Sequence, residues 1–488
     1  MKITLPYPIA LSDLALMAGG RLVCLGVHEQ VEVTHICTDS READGNTLFC
    51  AIRGERVDGH TYVSKAAELG CTAFLCERLP DHAPDAAYVV VEDTVAALSA
   101  LALSRREGER KDLGIVAITG SVGKTTTKEM TAAVLSRGKS LFKKDGNFNS
   151  TIGLPLSFME IDASVECAVL EMGMSSRGEI ASMTEAVRPD IAVIANVGSS
   201  HLEYLGTREN IARAKLEIAR GLRAGGTLII NDDEPLLSRL GQDFGEDLPV
   251  IPEGIRVLRV SLAGAPNADY TVKNITVRDG GMSFDLDTPD GPWKDLWIPA
   301  IGEHLVWAAS FAAAVGQLSG LSEGQVKTGL AAYRPADMRQ NTRIVGGVTV
   351  IEDCYNAAPE SMKAALNVLR LTAASVPDSR RIAVLGDMKE LGEDTVALHR
   401  GVGAVCADKG VDMLITVGDL GAEIARGALE AGMPAETIHM TGGADTYEGT
   451  AAYLKSILRE GDHVLFKASR SMALEKIAEA VLHELNNA

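Results

Sequence analysis

The sequence predicts an α/β protein made of three successive units, and three observations carry that prediction. Apolar strand-like runs alternate with helical patterns through most of the chain, the pattern of a parallel sheet with crossover helices. A Gly-rich turn leads directly from one buried-strand run into a helix. Glycine is abundant while aromatics make up only 4% of the residues, the usage of an α/β enzyme and not of a disordered or fibrous chain. At 488 residues the chain exceeds what one hydrophobic core serves, so more than one domain is expected.

The first unit, residues 1–109, holds short strand-like pieces at Thr47–Ile52 and Tyr88–Val91 between helical patterns. It closes in the polar run Ser104–Asp112, which suits a linker. The second, residues 110–333, opens with the buried-strand run Gly114–Thr119. Further strands are expected at Val165–Leu170, Ile191–Ala195 and Thr227–Ile230, and a β-rich extension at Tyr270–Trp297 carries the turn signal Asp279-Gly280-Gly281. The third, residues 334–488, repeats the alternation at Val348–Ile351, Ile382–Leu385, Met413–Val417 and Val464–Phe466. This is a second α/β unit with its own sheet.

A formal charge of −19, without clustered Lys and Arg, argues against a nucleic-acid surface, because phosphates need a concentrated basic patch. Eight cysteines show no CxxC pair and read as reduced thiols of a cytosolic protein. The first residues lack a basic region followed by a long apolar run, and no apolar stretch reaches about 18 residues. The expectation is a cytoplasmic protein without a membrane partner.

Thr119 to Thr127 is the strongest local signal. Gly120, Ser121, Val122 and Gly123 let backbone N–H groups converge on an anion, Lys124 supplies charge for β and γ phosphates, and the Thr125 hydroxyl suits Mg²⁺, with Thr126 following. Ile118 stands where the full Walker pattern has its first glycine, so this is a tighter relative. The plainer reading is a strand-to-helix turn whose lysine is only a surface residue.

Glu171 follows one expected strand and His201 the loop after another, and ligands of open parallel sheets collect beyond such carboxyl ends. Glu171 and His201 can share a cation with Thr125; carboxylate is the natural Mg²⁺ ligand, whereas a lone histidine is as often structural. Lys215 lies on the apolar stripe Ile211, Ile218 and Leu222 of an expected helix over 208–220. An ammonium there must snorkel, pair with a carboxylate, or be carbamylated by CO₂ into an anion able to hold metal.

Together these residues resemble the Mur ligase family over nearly the whole chain. The blocks that carry the likeness are Thr119–Thr127, Glu171-Met172-Gly173, Asn196-Val197-Gly198 through Glu203, and Lys215. Flanking blocks match too: Thr38–Arg41, Asp58-Gly59-His60, Gly146–Asn149 with Gly153-Leu154-Pro155, Asp353–Ala357, Leu385–Met388 with Glu390-Leu391-Gly392, and Lys467–Met472. The resemblance implies a three-domain architecture: an N-terminal domain binding a uridine nucleotide sugar, a central P-loop ATPase domain, and a C-terminal Rossmann-like domain. It implies ATP held by Gly120 to Thr126, Asn196, Arg339 and Asp353, and two Mg²⁺ held by Thr125, Glu171, His201 and carbamylated Lys215. Lys124, Glu171, His201, Lys215 and Arg339 become the expected catalytic groups. Ser40, Arg41, Asn147 and Asn149 become the expected substrate contacts.

The reaction so implied is carried out by a monomer and joins D-alanyl-D-alanine to UDP-N-acetylmuramoyl-tripeptide through an acyl phosphate. Competing readings are a relative adding the third-position diamino acid, whose Asp-Asn-Pro-Arg block is absent, folate polyglutamylation, and a P-loop NTPase switch. The chain departs from the family at Ser150 and Ala358, where asparagine is usual, at Ala468, where glycine is usual, and at His304–Ala308. The last change removes an expected adenine contact.

Overall fold

The computed structural model describes residues 1–26, 30–54, 56–240, 251–374, 376–441 and 446–487. They form three sheets in chain order. The first runs, edge to edge, Lys2–Ala10, Glu32–Cys37, Thr47–Cys50, Ala73–Cys76, Ala87–Val90 and Arg21–Cys24, with its middle four strands parallel and both edges antiparallel.

The second sheet has nine strands. Leu141–Lys143, Cys167–Glu171, Gly114–Thr119, Ile191–Ile194, Thr227–Asn231, Arg256–Ser261 and Tyr270–Arg278 lie parallel. Gly281–Thr288 and Gly291–Ile298 then extend it as antiparallel hairpins. Asp279 and Gly280 both take left-handed backbone (φ +52° and +72°), the two-residue turn that the Asp-Gly signal predicts. Apolar side chains cover both faces of this sheet, which is why its strands read as continuous apolar runs. The third sheet runs Asn341–Val345, Val348–Glu352, His463–Lys467, Arg381–Gly386, Met413–Val417 and Ile438–Thr441, parallel except for its first pair, and is likewise covered on both faces.

The polar run expected as a linker is not one. Residues 104–107 complete the helix Thr94–Glu107, capped at its start by Asp93, and the helix packs on Gly153–Met159 and Glu179–Val187. Arg105 donates to the carbonyls of Met159 and Ile161, the latter at 2.7 Å. Arg106, 2% exposed, donates to the carbonyls of Arg110 and Leu113 at 2.7 Å and Arg188 at 3.1 Å, and pairs with Asp190 at 3.2 Å. Burial lowers the pKa of Arg106, and Asp190 opposes the shift. Five donors in a planar fork gather carbonyls that would otherwise be orphaned, so the run is a clamp between the first unit and the central sheet. Arg106→Met should therefore cost about 3 kcal/mol, read as a lower urea midpoint, whereas a linker arginine would be silent.

Candidate functional site

The strand Gly114–Thr119 sits mid-sheet between Ile191–Ile194 and Cys167–Glu171, where strand order reverses, so its carboxyl end faces the crevice in which such sheets bind ligands. The loop Gly120 to Gly123 starts there and ends as the helix Lys124–Leu135 begins. Gly123 takes left-handed backbone (φ +80°) to make that turn. A Cβ on Gly120 would sit 3.1 Å from both Ala195 Cβ and the Val122 carbonyl oxygen, a close approach that disfavours a larger residue there.

Lys124 Nζ donates to the carbonyls of Gly120 at 2.8 Å and Ser121 at 3.4 Å, folded over its own loop. Burial holds its pKa below the ordinary lysine range, an effect that Glu171 opposes and Arg339 reinforces. An entering polyanion would reverse that deficit. Asn196, expected beside the nucleotide, has its side chain spent on the loop. Its Oδ1 accepts from the N–H groups of Ser121 and Val122 at 3.0 Å, and its Nδ2 donates to the Val122 carbonyl at 3.0 Å.

Thr125 Oγ1 donates to Glu171 Oε2 at 2.8 Å, and Asn149 Nδ2 donates to Glu171 Oε1 at 3.0 Å. One carboxylate and one hydroxyl beside a phosphate loop fit Mg²⁺, which takes few protein oxygens and fills its shell with phosphate and water. No cluster of three His, Cys, Asp or Glu able to cage a metal occurs among the described residues. Glu171 is the last residue of its strand, which runs Cys167–Glu171 and not Val165–Leu170. His201 has left-handed backbone (φ +66°) at the start of the short helix Leu202–Leu205, and its Nδ1 lies 2.8 Å from Glu390 Oε2 of the third unit.

Lys215 is 1% exposed, and among the described residues its Nζ makes no hydrogen bond or ion pair. Burial pushes its pKa well below the ordinary lysine range, and Lys124 pushes the same way. At 1% exposure the side chain does not extend into open solvent, and no carboxylate among the described residues pairs with it. The α-helix around Lys215 is shorter than expected, Arg208–Leu216, and continues as a 3-10 turn at Glu217–Ala219; Glu217 turns back to accept from the Gly178 N–H.

A cavity of about 770 Å³ opens between the second and third units. Its floor is the phosphate loop with Glu171, Asn149 and His201. Arg339 reaches it stacked on Tyr355 at 4.1 Å from the ring centroid, and the Tyr355 hydroxyl donates to Asn147 Oδ1 across the cavity. Asp353 enters paired with buried Lys467 at 2.6 Å. Glu360, in the first turn of the helix Pro359–Ala373, accepts from Ser199 N–H at 3.0 Å and Ser199 Oγ at 2.9 Å. Where an adenine contact was expected to be missing, Trp307, Ala308, Phe311, Ala364 and Ala365 make an apolar wall, with Trp307 stacked on Phe311.

Ser40 and Arg41 are not brought to this cavity. Ser40 is buried in the short turn Ser40–Glu42, and exposed Arg41 pairs with Asp39. Lys215 is not among the residues that line it. Sequence reading singled out neither Glu360 nor the roles of Tyr355, Lys467 and Glu390; the signal for Glu360 was an acidic residue in the first turn of a helix opened by proline.

Comparison with known proteins adds an independent line. The profile of the Mur ligase middle domain matches residues 118–316, that of the Mur ligase glutamate ligase domain residues 338–470, and that of the Mur ligase family catalytic domain residues 32–106. UDP-N-acetylmuramoyl-tripeptide--D-alanyl-D-alanine ligase of Bacillus subtilis is 37% identical over 459 residues, covering 93% of this chain and 94% of that one. A crystal structure of MurF from Acinetobacter baumannii superposes with a TM-score of 0.84 at 30% identity, covering 99% of this chain and 100% of that one. MurF ligase from Thermotoga maritima in complex with ADP superposes with a TM-score of 0.78 at 29% identity, covering 93% and 98%.

Proposed function

The chain belongs to the Mur ligase family, and from that premise we propose that it joins D-alanyl-D-alanine to UDP-N-acetylmuramoyl-tripeptide, driven by ATP, giving the pentapeptide, ADP and phosphate. The observation that supports this most is the cavity, in which a phosphate loop faces charged and aromatic groups from a second α/β unit. A hydrolytic switch needs the first of those walls but has no use for an acceptor site on the other. Peptidoglycan synthesis in the cytoplasm is the setting this implies, and among the described residues no helix is long and apolar enough to cross a membrane.

In this reading residues 1–109 hold the uridine nucleotide sugar, residues 110–333 hold ATP, and residues 334–488 hold the dipeptide. A free carboxylate resists an amine because oxide is a hopeless leaving group. The tripeptide carboxylate oxygen attacks the γ phosphorus, ADP leaves, and the acyl phosphate presents phosphate as the leaving group. The amine of the dipeptide then adds to the carbonyl, and the tetrahedral intermediate collapses to the amide. Lys124 and Arg339 bring positive charge to the transferring phosphoryl group, the largest electrostatic demand of such steps. Glu171 and Thr125 are the groups to hold Mg²⁺, which when bound adds positive charge at the phosphate oxygens; His201 and carbamylated Lys215 are assigned to a second ion. Asn147 and Asn149 flank the carboxyl substrate, and closure of the third unit excludes water from the acyl phosphate.

Incubation of the pure protein with ATP, Mg²⁺, the tripeptide nucleotide and D-alanyl-D-alanine should give a product whose mass is the sum of both substrates less water. ADP release should require the dipeptide for turnover. Steady ADP release that ignores both peptide substrates would identify a switch and remove the ligase reading.

A further inference from the structure

The third unit also touches the central one through a segment that does not itself line the cavity. The segment Asp387–Gly392 follows the carboxyl end of the strand Arg381–Gly386 and is held from several sides. Asp387 Oδ1 accepts from the N–H groups of Leu420 and Gly421 at 3.0 Å. Met388 N–H donates to His399 Nε2, and Lys389 N–H donates to Ser469 Oγ, each at 3.0 Å. Leu391 is buried, and Glu390 and Gly392 take left-handed backbone (φ +64° and +62°). A segment so pinned presents its side chains in one orientation.

What it presents is directed at His201. The Glu203 N–H donates to the Glu390 carbonyl at 3.2 Å, and a Cβ on Gly392 would come within 3.1 Å of Glu203 Cα, so the two backbones lie against each other. Glu390 Oε2 stands 2.8 Å from His201 Nδ1. That nitrogen is buried and makes no aligned hydrogen bond. His201 nevertheless lines the cavity, leaving Nε2 as the nitrogen open to it.

We infer that Glu390 is a positioning residue for the cation site: its carboxylate stands 2.8 Å from the buried Nδ1, so a small rotation of the carboxylate aligns an Nδ1–H bond that holds the proton there and leaves Nε2 for the cavity, and the central unit's site is completed only when the third unit is docked. The inference rests on the reading of His201 as a metal ligand. A histidine that donates its far N–H to a carboxylate is held in one tautomer and made a better ligand, an effect worth about 10- to 100-fold in metal affinity. Here the carboxylate comes from a different unit, 189 positions along the chain, so docking and cation binding are linked and each favours the other.

The test uses the full chain with ADP and Mn²⁺ as the probe cation, comparing wild type with Glu390→Ala, Glu390→Gln and His201→Ala. Mn²⁺ affinity is read by electron paramagnetic resonance titration, and imidazole ligation by nitrogen modulation of the pulsed signal. Wild type should show the modulation and His201→Ala should lack it. Glu390→Ala should weaken Mn²⁺ binding about 10- to 100-fold and lose the modulation, while Glu390→Gln, whose amide oxygen still accepts from Nδ1–H, should keep it. Wild-type affinity and modulation in Glu390→Ala would overturn the inference alone. A wild type without modulation would remove the metal role of His201, and the inference with it.

Discussion

Lys124→Ala should lower turnover by about a thousandfold, roughly 4 kcal/mol of barrier, with little change in thermal stability. The ammonium is the only side-chain cation within the loop itself and is held over the Gly120 and Ser121 carbonyls, where the phosphates would lie. Its desolvation is unfavourable in the empty loop and is compensated by a triphosphate, so its energy is returned where charge moves during phosphoryl transfer. Lys124→Arg should not restore activity. A planar fork cannot reproduce a point charge seated between two carbonyls of one tight turn. Single-turnover measurement of ADP formation gives the chemical step directly, and a loss confined to KM would show that Lys124 serves binding alone.

The second large effect concerns Lys215. Lys215→Ala should lose about a hundredfold in turnover, about 2.7 kcal/mol, and recover part of it when short carboxylic acids such as acetate are added. Burial, with no partner among the described residues, pushes the amine's pKa well below the ordinary lysine range and so favours the neutral form, the one that adds to CO₂. The resulting carbamate is an anion, which suits a cation on the phosphate side and offsets the neighbouring Lys124 charge. Lys215→Arg cannot form a carbamate and should match the alanine variant without rescue. Full activity of Lys215→Ala with no added acid would end the metal assignment. A ¹³C-labelled carbon dioxide atmosphere should give one carbamate resonance in wild type that is absent in both variants.

Much of this site could be read before any fold was known, because its chemistry is local. A strand, a Gly-rich turn and a helix in succession specify a phosphate loop by backbone geometry, and Gly120 to Thr125 keep that geometry. Glu171 was legible as the acid at a strand's carboxyl end, and Lys215 as the one charge on an apolar stripe. The illegible parts depend on partners remote in sequence. Arg105 and Arg106 looked like linker residues because polar composition does not show which carbonyls, as far as 82 positions away, their guanidinium groups collect. Glu360 meets Ser199 across 161 positions, and nothing in either segment announces the other. Asn196 was placed at the nucleotide, whereas its amide satisfies the loop's own N–H groups; proximity in a motif does not say whether a polar side chain faces the ligand or supports what does.

The apolar wall at Trp307, Ala308 and Phe311 teaches the same point in reverse. The departure at His304–Ala308 read as a lost contact, yet a flat base can be held by stacking and burial where hydrogen bonds are absent. Selection among purine nucleotides should then be weak: GTP should support turnover within about tenfold of ATP, about 1.4 kcal/mol. A preference for ATP of a thousandfold or more would show that a polar group reads the base after all.

The account stands on transfer of the γ phosphoryl group to the tripeptide carboxylate. With ¹⁸O placed in that carboxylate, the phosphate released on ligation should carry one labelled oxygen per turnover, because the oxygen that attacks phosphorus leaves with it. Phosphate free of label, formed alongside genuine pentapeptide, would contradict the acyl phosphate and with it the chemistry assigned to the cavity.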